Sequence, residues 1–172
     1  METLIINDSL DVNFKYDLAK MPGGSHIKKC FACGTCTAGC PAFHAKHDYN
    51  PRKMIRMILM GMKEELLKSP LIWYCQQCYA CSANCPQDVD FSHIVMTLRY
   101  MAVGEGFAPA ALIGKVESLG MAANEFRRNC VSLLLEQEGV TDGAIRKQVE
   151  ETITMADPEV FRARSAETRS AG

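Results

Sequence analysis

The 172-residue chain reads as a mainly α protein with a small N-terminal β-hairpin and additional helices at its C-terminal end. Three observations predict this. Two cysteine-rich runs are separated by the 34 residues 41–74, whose centre carries helical periodicity. The stretch after the second run repeats that periodicity several times. Short β-like patterns occur only in the first eighteen residues. Length and a 48% hydrophobic content fit a unit large enough to bury a core.

Taken in order, TLIIN at 3–7 and NFKYDL at 13–18 are predicted strands flanking an Asn-Asp-Ser turn. Pro22, Gly23 and Gly24 then break the pattern. Asn50 is a good N-cap and Pro51 suits the first helical position, so a helix is predicted from there to about Lys68, before Ser69 and Pro70. Its apolar stripe is Ile55, Ile58, Leu59, Met62 and Leu66, with Arg52, Arg56, Lys63 and Glu64 largely off it. Asp90 caps a second helix, Phe91 to about Val103, with Ile94, Val95, Leu98 and Met101 facing inward and Gly104 and Gly106 ending it. Two more helices are predicted at about 109–119 and 123–138, the latter closed by Gly139. A last one spans 142–155 behind Thr141. The organisation expected is a cluster-bearing domain at 1–105, a helical extension at 106–156 and a polar, flexible tail at 157–172.

Eight of the nine cysteines fall into two copies of C-x2-C-x2-C-x3-C-P: Cys30, Cys33, Cys36, Cys40 before Pro41, and Cys75, Cys78, Cys81, Cys85 before Pro86. That spacing holds cubane clusters in bacterial-type ferredoxins, where three close thiolates grip one cluster and the fourth of the run ligates the other. Two [4Fe-4S] clusters are therefore expected. The first loop is lined by small residues, Gly34, Thr35, Thr37, Ala38 and Gly39, while the second holds Gln76, Gln77, Tyr79 and Asn84. Unlike surroundings imply unlike potentials. A disulfide framework belongs to small secreted chains, and METLIIND has no charged n-region followed by an apolar core. A reducing, cytoplasmic location is the expectation. Structural zinc sites pair two C-x2-C knuckles, whereas each run here has a third cysteine at the same spacing and a proline after the fourth.

A formal net charge of -1 offers no basic stripe for nucleic acid. No apolar run approaches the roughly 20 residues needed to span a bilayer, so direct membrane insertion is not expected. No dinucleotide fingerprint, Walker loop, nucleophile elbow or paired-carboxylate signature is present. With all eight motif cysteines used as ligands, no catalytic residue is assigned. Cys130 reads as a helical core cysteine, His44 and His47 as surface histidines, and His26 and His93 as isolated. Trp73 and Tyr74 are expected to shield the cluster beside Cys75. The methionines of MIRMILMGM read as core filler. Lys28, Lys29, Arg52, Lys53 and Arg56 form basic clusters that are either a solvated face or a contact for an acidic partner. Phe126, Leu133 and Leu134 form an apolar stripe expected to pack partly on the cluster domain and partly on a partner.

The strings NFKYDLA, IKKCFACGTCTAGCPA and YNPRKMIRMILMGMKEELLKSPLIWYCQQCYACSANCPQDV resemble the C-type iron-sulfur subunit of heterodisulfide reductase and its relatives, over about residues 13–106. The resemblance implies the α-helical ferredoxin fold, also seen in the iron-sulfur subunit of succinate dehydrogenase and fumarate reductase. It implies a non-catalytic, electron-transferring member of a complex, standing between a flavin-containing A-type subunit and a B-type subunit that carries thiol/disulfide chemistry. It assigns Cys30, Cys33, Cys36 and Cys85 to one cluster, and Cys75, Cys78, Cys81 and Cys40 to the other. From Leu119 onward the chain departs from the family pattern, which leaves open methanogenic heterodisulfide reduction, sulfur-compound oxidation or another flavin-based dehydrogenase. A structural iron-sulfur scaffold is the third class.

Overall fold

The structure is a computed structural model that describes residues 10–136 and 141–155. The chain divides into two compact units, Met1–Pro109 and Ala110–Gly172. Among the described residues every regular element is a helix.

The first unit opens with α1, Phe14–Lys20. This overturns the expected N-terminal hairpin, because NFKYDL is helical and not a strand; its proposed partner at 3–7 lies outside the described residues. The physical reason is visible in the core. Phe14 and Leu18, one helical turn apart, are both fully buried, and α1 packs on two later helices, α4 (Pro51–Met60) and α7 (Phe91–Gly104). A strand would have put Tyr16 on the same face as Phe14 and Leu18, whereas a helix keeps residues four apart together and turns the one between them away, and Tyr16 is 46% exposed.

A 3-10 turn at Ile27–Lys29 leads into the first cysteine run, which continues as α2, Thr35–Ala38, and α3, Pro41–Ala45. Asn50 then caps α4 as expected, its Oδ1 accepting from the Lys53 amide at 3.0 Å, with Pro51 in the first turn. The predicted single helix to Lys68 is broken at Gly61, where φ is +80° and the Met62 amide donates to the Met57 carbonyl at 2.9 Å. That is a Schellman-type stop. A Cβ on Gly61 would stand 2.5 Å from the Asp11 carbonyl oxygen, so the backbone of residue 11 passes where a side chain would be. The helix resumes as α5, Lys63–Lys68, and Lys63 ties the junction by ion pairs to Glu105 at 2.7 Å and Asp11 at 3.8 Å.

A 3-10 segment, Pro70–Tyr74, enters the second run, which forms α6, Ala80–Ala83, before α7. Ile94, Val95, Leu98 and Met101 of α7 are buried, as the apolar pattern required, and so is Phe91 at the start of the helix. Asp90 precedes α7 in a left-handed conformation (φ 59°) without a side-chain capping bond; its carboxylate instead meets His93 Nδ1 at 2.5 Å. Arg99, on the same helix, is 2% exposed. It donates to the carbonyls of Ile72 (2.9 Å), Trp73 (3.3 Å) and Cys75 (2.9 Å), pinning the approach to the second run.

The second unit contains α8, Ala111–Glu136, and α9, Asp142–Met155, packed on each other. The two helices expected at 109–119 and 123–138 are one. Gly120 lies inside a stretch, Leu119 to Ala123, rich in strong helix formers, and one internal glycine costs only about 1 kcal/mol against alanine. Thr141 caps α9, its Oγ1 accepting from the Ala144 amide at 3.3 Å. Phe126 and Leu133 are half-buried, while Leu134 is 61% exposed. The tail expected at 157–172 lies outside the described residues. No described helix is long and apolar enough to cross a membrane.

Candidate metal centres

Both cysteine runs fold the same way. The residues flanking the second cysteine of each run have positive φ: Ala32 (59°) and Gly34 (92°) in the first, Gln77 (52°) and Tyr79 (60°) in the second. Left-handed residues on either side of a cysteine curl the chain tightly, which suits a loop that must present three thiols to one body. Each non-glycine residue held this way costs on the order of 1–3 kcal/mol, so the surrounding structure must enforce it. A one-turn helix follows each curl, and the hydroxyl residue after the third cysteine docks it on the start of the next long helix. Thr37 Oγ1 donates to Asn50 Oδ1 at 3.1 Å and accepts from the Arg52 amide at 2.9 Å. Ser82 Oγ meets Ser92 Oγ at 2.6 Å.

These supports frame two cavities of similar size. One, about 370 Å³, is lined by Cys30, Cys33, Cys36, Cys85 and Cys81, with Arg52, Ile55, Val89 and Phe91 among the remaining walls. The other, about 320 Å³, is lined by Cys40, Cys75, Cys78 and Cys81, with Tyr49, Pro51, Tyr79 and Phe91. Each cavity thus takes cysteines from both runs, and Cys81 and the buried Phe91 face both. The start of α4 lies between them, with Pro51 on one cavity and Arg52 on the other. Cys33 and Cys78, the middle cysteines of their loops, are exposed, whereas the other six are partly buried.

Electrostatics repeats this grouping. Burial raises the Cys36 thiol pKa, and the neighbouring sulfurs that add to it are Cys30, Cys33 and Cys85. Burial likewise raises Cys40, whose sulfur neighbours are Cys75 and Cys78. Cys81 is pushed up to about 11 by burial, then by Cys75 and Cys78. Exposed Cys33 goes the other way, lowered by the Thr35 hydroxyl. Buried thiols of this kind keep their protons until a metal displaces them, so loading these cavities releases protons. Several sulfurs have donors at hand. The Ala32 amide lies 3.4 Å from Cys30 Sγ, the Val89 amide 3.4 Å from Cys85 Sγ, and Gln77 Nε2 3.4 Å from Cys75 Sγ. Tyr49, 1% exposed, stands beside Cys75 on the cavity wall, and burial, ahead of the adjacent sulfur, raises its pKa above the usual phenol value.

The donor set and spacing fit cubanes better than single ions. Among the described residues no three His, Cys, Asp or Glu side chains gather closely enough to hold one metal ion. Zinc needs its thiolates about 2.3 Å from a point, whereas these sulfurs ring a cavity.

Other expected site residues fall elsewhere. Trp73 and Tyr74 line neither cavity; Trp73 packs on the core under the Arg99 guanidinium, and Tyr74 is 44% exposed. The aromatic walls are Tyr49, Tyr79 and Phe91. His44 is exposed and bonds the Ala38 carbonyl at 2.9 Å, and His47 stacks edgewise on Phe43. His26 bonds the Asp88 carbonyl at 2.8 Å, and His93 stacks on Tyr79 at 5.5 Å, so neither is isolated. Cys130 belongs to α8 and lines neither cavity. Sequence reasoning missed Tyr49, Phe91 and Arg99. Only Tyr49 carried a hint, as a lone aromatic just before the Asn50-Pro51 helix start.

Residues 26–89 match the family model of the 4Fe-4S dicluster domain, which indicates two [4Fe-4S] clusters in this chain. The chain is 36% identical over 110 residues to the C-type subunit of the H(2):CoB-CoM heterodisulfide,ferredoxin reductase of Methanothermobacter thermautotrophicus, covering 63% of this chain and 58% of that protein. It is 44% identical over 80 residues to the second C-type iron-sulfur subunit of the CoB--CoM heterodisulfide reductase of Methanocaldococcus jannaschii, 46% of this chain and 42% of that one. To the C-type subunit of the ferredoxin:CoB-CoM heterodisulfide reductase of Methanosarcina acetivorans it is 38% identical over 87 residues, 51% of this chain and 34% of that one. The chain therefore spans about a third to three fifths of the length of these curated relatives.

Proposed function

We propose that this chain is the electron-relaying subunit of a heterodisulfide reductase-type complex, placed between a flavin-carrying A-type subunit and a thiol/disulfide-active B-type subunit. Cys30, Cys33, Cys36 and Cys85 hold one [4Fe-4S] cluster; Cys75, Cys78, Cys81 and Cys40 hold the other. Cys81 goes to the second set because the first cavity already has four other cysteines. Each cluster accepts and returns one electron at a time. The observation that carries this reading is the shared wall: Cys81 and Phe91 border both cavities, so the two centres are neighbours, and each has one exposed cysteine toward solvent. An electron entering beside one exposed cysteine then leaves beside the other. The names of the homologues, each a subunit of a larger reductase, support the presence of partner chains.

The test is metal analysis with ligand exchange. Anoxically isolated protein is expected to contain about eight iron and eight sulfide per chain, both clusters being reversibly reducible. Cys85→Ala is expected to damage the centre held by Cys30, Cys33 and Cys36, and Cys40→Ala the one held by Cys75, Cys78 and Cys81. Site-resolved Mössbauer or EPR spectra in which Cys85→Ala disturbs only the second-run cluster would refute the ligand sets. Stoichiometric zinc without sulfide would remove the electron-carrying role altogether.

A further inference from the structure

Charge is segregated along this chain. Residues 18–63 hold eight Lys and Arg against one carboxylate, Asp48, whereas residues 64–172 hold ten against fifteen. Three of the eight cations are neutralised internally: Lys20 by Asp17 at 2.9 Å, Lys46 by Asp48 at 4.0 Å, and Lys63 by Glu105 at 2.7 Å. The other five, Lys28, Lys29, Arg52, Lys53 and Arg56, are all exposed, and none has a carboxylate within 4.0 Å among the described residues.

These five lie on the two short segments that lead into and follow the first cysteine loop, and one of them lines the first cavity. Arg52 forms part of its wall, its Nη1 lying 3.6 Å from where a Gly34 side chain would begin. Arg56 is one turn along the same face of α4. Lys28 and Lys29 occupy the 3-10 turn that packs on α4 and delivers Cys30. At the first loop itself are the exposed ligand Cys33 and Phe31, which is 60% exposed. An aromatic anchor beside a redox ligand, rimmed by charge of one sign, has the composition of a docking patch.

Compensation of the cluster's own negative charge explains Arg52, which touches the cavity. It does not explain Lys29, Lys53 and Arg56, which project into solvent, where screening limits their effect on the cavity to about one Debye length of 8–10 Å. Exposed charges of one sign act outward, by steering an oppositely charged body to the surface and orienting it. Five cations on two short segments beside one exposed loop also differ from the extended basic stripe that tracks a phosphate backbone.

We propose that the face centred on Cys33 and Phe31, rimmed by Lys28, Lys29, Arg52, Lys53 and Arg56, docks an acidic one-electron redox protein or domain. It is the port of the first-run centre. The inference rests on the electron-relay reading and adds which end of the relay meets an acidic partner. In the transfer, one electron leaves the reduced cluster and reduces the partner's centre, with no bond made or broken.

The test uses the full-length chain carrying both clusters, photoreduced under anoxic conditions. Stopped-flow traces follow electron transfer to flavodoxin, an acidic flavoprotein serving as the probe, and to tris(phenanthroline)cobalt(III), a small cation. The rate constant with flavodoxin is expected to fall about tenfold or more between roughly 10 mM and 0.5 M salt. The variant combining Lys29→Glu, Lys53→Glu and Arg56→Glu is expected to lose about tenfold in the low-salt rate and most of its salt dependence. It should keep its iron and sulfide content and react faster with the cobalt cation. Lys147→Glu, on α9, is expected to change none of these rates.

Wild-type flavodoxin rates in the triple variant would overturn the proposal. So would tight binding of duplex DNA through the same three residues without any effect on the flavodoxin rate, which would make the patch a nucleic-acid contact. Clusters that cannot be cycled between oxidation states are a separate failure, since they would overturn the relay reading itself.

Discussion

Tyr49→Phe removes one hydroxyl from the wall of the second cavity and leaves the ring in place. Tyr49 is 1% exposed and lines the cavity with Cys40, Cys75, Cys78 and Cys81, and Cys75 is the sulfur that most affects its hydroxyl. Hydrogen bonds to cluster sulfurs help set reduction potential, because an added electron makes the sulfur a better acceptor and the bond stronger. A typical net hydrogen bond is worth about 0.5–1.5 kcal/mol. If a difference of that size separates the two oxidation states, it converts to about 20–60 mV, at roughly 59 mV per tenfold in equilibrium constant for one electron. The sign follows from the same reasoning: without the donor the reduced state loses more, so the potential falls. Packing should survive, since the aromatic body is unchanged. The assay is an EPR-monitored redox titration of both clusters in wild type and variant. One midpoint is expected to drop by about 20–60 mV while the other stays put. A rise, or equal shifts in both midpoints, would refute the placement of this hydroxyl on a single cluster.

Three further outcomes are expected. Gly61→Ala, at φ +80° with its new Cβ 2.5 Å from the Asp11 carbonyl oxygen, is expected to lose about 2 kcal/mol or more in guanidinium unfolding; an unchanged midpoint would show that the α4–α5 junction relaxes freely. Arg99→Met strips donors from the carbonyls of Ile72, Trp73 and Cys75, at about 1–3 kcal/mol for each one left buried without a partner, and is expected to lower both thermal stability and iron retention. A chain ending at Pro109 contains every residue lining either cavity, and is expected to retain full iron and sulfide content; loss of both clusters would make the second unit part of their scaffold.

Local pattern and tertiary closure divide the fold along a physical line. NFKYDL is a short run, and alternation over six residues does not separate strand from helix; burial of Phe14 and Leu18 against α4 and α7 decided the matter. The break at Gly61 had no local signal stronger than the glycine itself. It became necessary because the backbone of Asp11, fifty residues away in sequence, crosses at that point, its amide donating to the Gly61 carbonyl at 2.8 Å. The same holds for Tyr49, Phe91 and Arg99. Each acts through partners far along the chain, and a side chain's residue type says nothing about which distant loop it will meet.

What the sequence determined by itself were the features encoded over a few residues. Cysteines spaced by two, two and three specify a polynuclear cluster, since the reach of a tight loop to three thiolate positions is a matter of covalent geometry. The starts of α4 at Asn50-Pro51 and of α9 behind Thr141 were legible for the same reason, capping being satisfied by atoms two or three residues away. The tertiary structure alone decided which cysteines face which cavity, which aromatic rings enclose them, and that Cys81 and Phe91 stand between the two. Those choices are made when the chain closes on itself, and closure joins segments whose separation in sequence carries no local chemical mark.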